Sequence, residues 1–291
     1  MKNFLKLKLE IQGFKDVDET IKATENIAAS YIRQLKQKVI NLDVYILELS
    51  RLLTRLSRFY HDKSHPLPRQ KNNHRKEALL IISSDKALVG GLHHNLINFL
   101  LKQKKIYKSL IVIGNKGKQY LDEEKIIIHK LFLDIPAIPS GEDIKQITHY
   151  LFNEFTQNNF SKIQILYPEF ISLTEQRPIL LNFLPFEFNI KNNERSNASD
   201  IKPFGLPIFD SSKKVIFNYS LQKYIEVYFY KIIMEARLSE FSARTIAMEY
   251  ASEKTTRLIQ KTTLNYFKER KKSMTQKQLL TFIAHKKVYE K

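Results

Sequence analysis

All nine prolines of this chain lie between Pro66 and Pro207, and so do all its glycines except Gly13. Proline breaks a helix interior and glycine weakens it. The 291 residues therefore divide into a breaker-poor N-terminal segment, a turn-rich middle and a breaker-free C-terminal segment. Ends of that length without punctuation point to long helices.

The N-terminal segment carries a sharp apolar period. Ile32, Leu35, Val39, Leu42, Ile46, Leu49, Leu53, Leu56 and Tyr60 follow one another at alternating steps of three and four, the seam of a helix packed as a coiled coil. Asp16 or Asp18 is placed to cap its start, giving a helix of roughly 65 Å up to Tyr60 at ~1.5 Å per residue. Such a seam needs a partner helix. From about Ser212 to Lys287 the chain has neither glycine nor proline, and Leu221, Ile225, Tyr228, Ile232, Ala236, Ala243, Ile246 and Tyr250 continue a three-four stripe. Unbroken, that helix would be on the order of 100 Å long. After Tyr250 the seam turns polar at Thr256, Thr263 and Arg270, so its end is expected to meet something other than its own core.

In the middle, EALLIIS (77–83), SLIVIG (109–114) and SKIQILY (161–167) read as buried strands, with helical stretches such as GEDIKQITHYLFNEF (141–155) between them. That alternation predicts an α/β domain with a mainly parallel sheet. KNNERSNASD (191–200) reads as a surface loop or a disordered insert. The expected parts are 1–65 and 208–291 for the helices and 66–207 for the α/β domain.

A formal charge of +18 calls for an acidic partner: nucleic acid, an anionic membrane or an acidic protein surface. The absence of cysteine excludes disulfides and thiolate metal sites. No apolar run approaches a membrane span. The start MKNFLKLKLEIQGFKD sets lysines within its apolar stretch and is not expected to act as a signal peptide.

ISSDKALVGGLHHN (82–95) invites a phosphate-loop reading. Its lysine precedes the glycines, however, and no Gly-Lys-Ser/Thr follows. The Gly-x-Gly-x-x-Gly of dinucleotide folds is missing too. The expectation is that the paired glycines let the backbone pass close to a neighbouring element at a strand-to-helix junction. SSDKALVGGLHHNL then resembles the Ser-Ser-Asp-(Lys/Arg)-Gly-Leu-Cys-Gly-Gly-Leu-Asn signature of the γ subunits of F-type ATP synthases. Three further blocks agree with that family in order: IKATENIAASYIRQ (21–34), VIGNKGKQYL (112–121) and EARLSEFSARTIAMEYASEKTTRLIQKTTLNYFKERKKSMT (235–275). The signature residues of the resemblance are Ser84, Asp85, Lys86, Gly90, Gly91, Glu235, Ser239, Glu240 and Met248.

The resemblance implies an antiparallel coiled coil of terminal helices with a central Rossmann-like α/β domain. It implies a non-catalytic rotor without a cofactor, turning in a ring of α and β ATPase subunits at the cytoplasmic face of a bacterial membrane. An ε-like subunit and a membrane ring would engage its foot. Arg33, Lys36, Arg244, Arg257, Lys261, Tyr266, Arg270, Lys271 and Thr275 are the candidate ring contacts. Departures are concentrated at certain positions: Thr24 and Asn26 replace two methionines, Val89 and His93 replace Cys and Asn, and Phe267 and Lys271 replace Asn and Gln. These allow a paralogous F-like motor that works without an ordinary proton ring. Two rivals remain. The charge alone admits a nucleic-acid binder, although no compact recognition helix or stacking motif is present. His61, His65 and His74 with Asp62 admit a metal hydrolase, although Pro66 follows directly and no His-Glu-x-x-His exists.

Overall fold

The computed structural model describes residues 3–59, 77–103, 107–157, 159–185 and 212–289. In chain order the elements are α1 (Asn3–Phe59), β1 (Glu77–Ile82), α2 (Leu92–Lys102), β2 (Ser109–Ile113), α3 (Asn115–Glu123), β3 (Lys130–Phe132), α4 (Gly141–Thr156), β4 (Lys162–Phe170), β5 (Gln176–Leu184) and α5 (Lys213–Tyr289). They fall into two compact units, Ser30–Ala243 and Met1–Ala29 with Arg244–Lys291.

The larger unit is built on a five-stranded sheet of order β3-β2-β1-β4-β5. The three predicted strands lie at its centre, and all pairings are parallel except β4 with β5. Alternation along β1 assigns its two faces. Leu79 and Ile81 join Leu96, Leu100 and Leu121 under α2 and α3. Ala78, Leu80 and Ile82 join Ile144, Ile147 and Leu151 of α4 on the other face, together with Leu53 of α1 and Ile225, Phe229 and Ile232 of α5. The terminal helices of this unit thus share one core with the sheet. Tyr31 stacks on Phe241 with ring centroids 4.6 Å apart, and Lys231 pairs with Asp43 at 2.7 Å. Numbers rise along one helix as they fall along the other, so the pairing is antiparallel. The predicted seam from Ile32 to Leu56 is buried or half-buried at every position; Tyr60 lies outside the described residues.

The smaller unit pairs the outer parts of the same helices, again antiparallel: Asp18 meets Ser252 and Phe4 meets Tyr266. Two expectations are corrected here. Asp16 and Asp18 do not start the helix, because Phe4, Leu7, Ile11 and Phe14 already carry the three-four spacing toward the inner face. Asp18 occupies the next place on that face and is 8% exposed. Tyr250 is not a seam residue but 67% exposed. The buried line passes instead through Met248, Thr255 and Thr262, while Thr256 and Arg270 face outward. Met248, Thr255 and Thr262 keep a seven-residue repeat of their own, and Tyr250, two positions after Met248, stands about 200° round the helix from it. Thr255 fits an inner position because its hydroxyl donates to the Ala251 carbonyl at 2.8 Å.

The Asp18 carboxylate accepts from Lys22 at 2.7 Å and from the Ser252 hydroxyl at 2.8 Å. Those bonds, Lys22 first, hold its pKa below the ordinary carboxylate value. The stability it adds is therefore present above that ordinary value and is lost as pH falls through the lowered one. Ser252→Ala should cost about 1 kcal/mol at neutral pH. Denaturant melts at pH 7 and at a pH below the lowered value should show the cost at the first and its disappearance at the second.

Candidate functional site

In a sheet of this order the chain leaves β1 on one side and β4 on the other, and the crevice at their carboxyl ends is where such folds bind nucleotides. Here α5 fills it. Ile82, Ser83, Ser84, Leu92, His93 and Pro168 meet Ala236, Arg237 and Glu240 around a void of ≈ 10 Å³, the room of a single water. The two most specific sequence blocks, Ser84 and Glu240 among them, thus come together to close a crevice.

The donors that would hold a phosphate are also engaged. Asn115 N–H, at the start of α3, donates to Asp85 Oδ1 at 2.9 Å, and Gly117 N–H donates to Ser83 Oγ at 2.9 Å. Ser83 Oγ in turn donates to the Ile113 carbonyl at 2.6 Å. Ser84 Oγ lies 2.7 Å from His93 Nε2 and 2.8 Å from the Lys86 carbonyl. The hydroxyl proton goes to the carbonyl, so His93 Nε2–H is the donor to Ser84. Lys86 is exposed. The close backbone approach expected at the glycine pair is found elsewhere. A Cβ on Gly91 would touch only the Asn95 side chain at 3.8 Å, and Gly90 suits its φ of 56°. The tight approach is at Gly114 and Gly117, where a Cβ would lie 2.6 Å from the Ser83 carbonyl oxygen and 2.5 Å from its hydroxyl.

Of the signature residues on α5, Ser239 and Glu240 are buried, and so is Met248 in the smaller unit. Glu235 is half-buried. Burial pushes its carboxyl above the ordinary carboxylate range; Glu169 and Asp43 add to this, while Lys231 and the Phe170 N–H oppose it. The fold therefore favours the protonated acid, and stability declines as pH rises from the ordinary to the raised value. Glu235→Gln should match the parent at acid pH and become more stable than it toward neutrality. Parallel thermal melts across pH 4–8 would read this; a difference that does not change with pH contradicts it.

The candidate contacts divide. In the larger unit Arg33 and Lys36 are exposed. In the smaller unit Arg257, Lys261, Arg270, Lys271 and Thr275 are exposed and Tyr266 is half-buried. Arg244 stands apart at 6% exposure. Sequence reading took Asp18 only as a possible cap and His93 only as a departure from the family pattern, and it passed over Tyr230 and Arg237. The Arg237–Glu240 spacing of three along a helix was the available signal for the last. His61, Asp62, His65 and His74 lie outside the described residues, and among those described no group of three acids or histidines is placed to hold a metal. No described helix is long and apolar enough to cross a membrane.

An α/β sheet whose crevice is plugged by its own C-terminal helix, with that helix paired antiparallel to the N-terminal one, defines a class of α/β protein closed by its paired terminal helices. The chain belongs to the ATP synthase family, whose model, described as ATP synthase, matches residues 3–279. Curated relatives include the ATP synthase gamma chain of Desulfitobacterium hafniense, 28% identical over 92% of this chain and 93% of the relative. That of Mycoplasma capricolum is 26% identical over 95% of each. Among solved structures, a chain of the Euglena gracilis mitochondrial ATP synthase rotor matches with a TM-score of 0.61, 16% identity, and coverage of 93% of this chain and 98% of that one. A chain of the Tetrahymena thermophila central stalk and c-ring matches at 0.57, also 16% identical, over 80% and 99%. The fold is that of an ATP synthase central stalk.

Proposed function

We propose that this chain is the rotor subunit of an F-type ATP synthase or ATPase, an axle that catalyses nothing itself and couples ATP chemistry in a surrounding ring of α and β subunits to rotation and proton transport. The observation that carries the reading is the free end of α5. In the smaller unit Phe4, at the start of α1, faces Tyr266, so the residues beyond outrun their partner helix. There Leu279, Leu280, Phe282 and Ile283 are 56%, 68%, 70% and 51% exposed. Large apolar residues grouped on one helix end fit a protein sleeve. The exposed bases Arg257, Lys261, Arg270 and Lys271 fit acidic loops of the ring, and Arg33 and Lys36 do the same on the larger unit. Residues 66–207 would form the foot that meets an ε-like subunit and a membrane ring, and the chain would then lie peripherally at the cytoplasmic face of a bacterial membrane.

The test is isolation of the native complex through a tag on this chain. The axle reading expects α- and β-type ATPase subunits in equal amounts, each in excess over the tagged chain. Their absence, or retention on DNA with a steep salt dependence, overturns it in favour of the nucleic-acid rival. Whether a membrane ring accompanies them separates an ordinary synthase from a paralogous F-like motor.

A further inference from the structure

Apolar burial holds α5 against the sheet, but the effect itself is non-directional. Hydrogen bonds have narrow angular tolerance. In the larger unit α5 makes two to the same loop, the segment 133–140 between β3 and α4. Tyr230 Oη donates to the Pro139 carbonyl at 3.0 Å, and Arg237 Nη2 donates to the Ile135 carbonyl at 3.0 Å. These side chains are seven positions apart, two turns on one helix face. Arg237 is fixed from its other side as well: Nη1 donates to Glu240 Oε2 at 2.7 Å, with both side chains 7% exposed. The planar guanidinium is suited to holding two acceptors at a set angle.

The loop is itself stiff. Pro136 and Pro139 fix their φ angles, and the capping box of Ser140 and Asp143 ties its end to the start of α4. We propose that Tyr230 and Arg237 form a torsion joint, a two-point tie to this loop that stiffens the passage of rotation from the helix to the α/β domain. This rests on the axle reading. Arg237 is not among the residues that the family resemblance singles out, unlike Glu235, Ser239 and its partner Glu240.

The chain has no cysteine, so Asn95→Cys, at an exposed position of α2, gives this chain one attachment point for a bead. With the full complex fixed through its ring, the bead's angular variance is read in the dwell between ATP-driven steps. Tyr230→Phe and Arg237→Met are each expected to widen that variance, and together to widen it most. Arg237→Lys, which keeps the charge beside Glu240 but not the fork, should fall between parent and Arg237→Met. Unloaded ATP hydrolysis should be unchanged. Equal variance in parent and variants overturns the joint, and so does a lowered melting temperature without a wider variance, which is a purely structural role. Tyr230→Phe alone decides the matter if Arg237→Met fails to fold. A parent complex that does not turn its bead with ATP refutes the axle reading, and the joint with it.

Discussion

Phe229→Ala is expected to destabilise the larger unit by about 3–5 kcal/mol, the cost of deleting a fully buried aromatic ring and leaving its cavity. Phe229 is 0% exposed and its ring lies 5.5 Å from that of Phe183, also 0% exposed. Phe183 stands on β5 and Phe229 on α5, so the pair joins the terminal helix to the sheet. Ile225, Ile232 and Ile233 surround it on the helix, and Ile163, Ile165 and Leu184 on the strands. Because helix and sheet share this one cluster, the loss should appear in both together. Guanidinium melts followed by far-ultraviolet dichroism and by tyrosine fluorescence should shift in parallel. A loss below about 1 kcal/mol would mean that helix and sheet are held chiefly by other contacts.

Gly114→Val should be nearly as damaging, by about 3–5 kcal/mol, because two penalties act at one backbone position. Gly114 has φ 94° and ψ 142°, a conformation open to glycine and strained for any β-branched residue. An added Cβ would also lie 2.6 Å from the Ser83 carbonyl oxygen, and neither partner is a flexible side chain. The Gly114 N–H donates to the Phe132 carbonyl at 2.9 Å and the Ser83 N–H to the Ile113 carbonyl at 2.9 Å. Any shift that relieves the clash therefore loosens β3 or the start of α3. Gly141→Ala is the control: nothing lies within 4 Å of a Cβ there, and its melt should stay close to the parent's.

What could be read from the sequence follows from how local each signal was. The terminal helices were legible because no proline interrupts either one and the three-four spacing is visible over many turns. The central strands were legible because β1 and β2 are nearly continuous apolar runs and β4 is broken only by Gln164 between Ile163 and Tyr167, as suits strands covered on both faces. Strand β5 was missed. It carries Pro178 and half-buried residues, the mark of an edge strand, which a search for buried runs passes over. Strand β3 has only three residues, too few for any periodicity. The start of α1 was misplaced because a possible acidic cap outweighed the apolar spacing upstream of it. At the crevice, the missing phosphate-loop spacing already argued against a nucleotide. That Asp85 and Ser83 occupy the donors of α3, and that Arg237 and Glu240 fill the space, depend on contacts between residues far apart in the chain, and no local pattern records those.

The most direct measurement of the central claim is rotation. The complex isolated through this chain is fixed through the ATPase ring that the proposed function expects, a bead is attached at Asn95→Cys, and ATP is added. The account predicts stepwise turning in one direction that stops when ATP is removed. A complex that hydrolyses ATP while the bead only jitters about a fixed angle would contradict it.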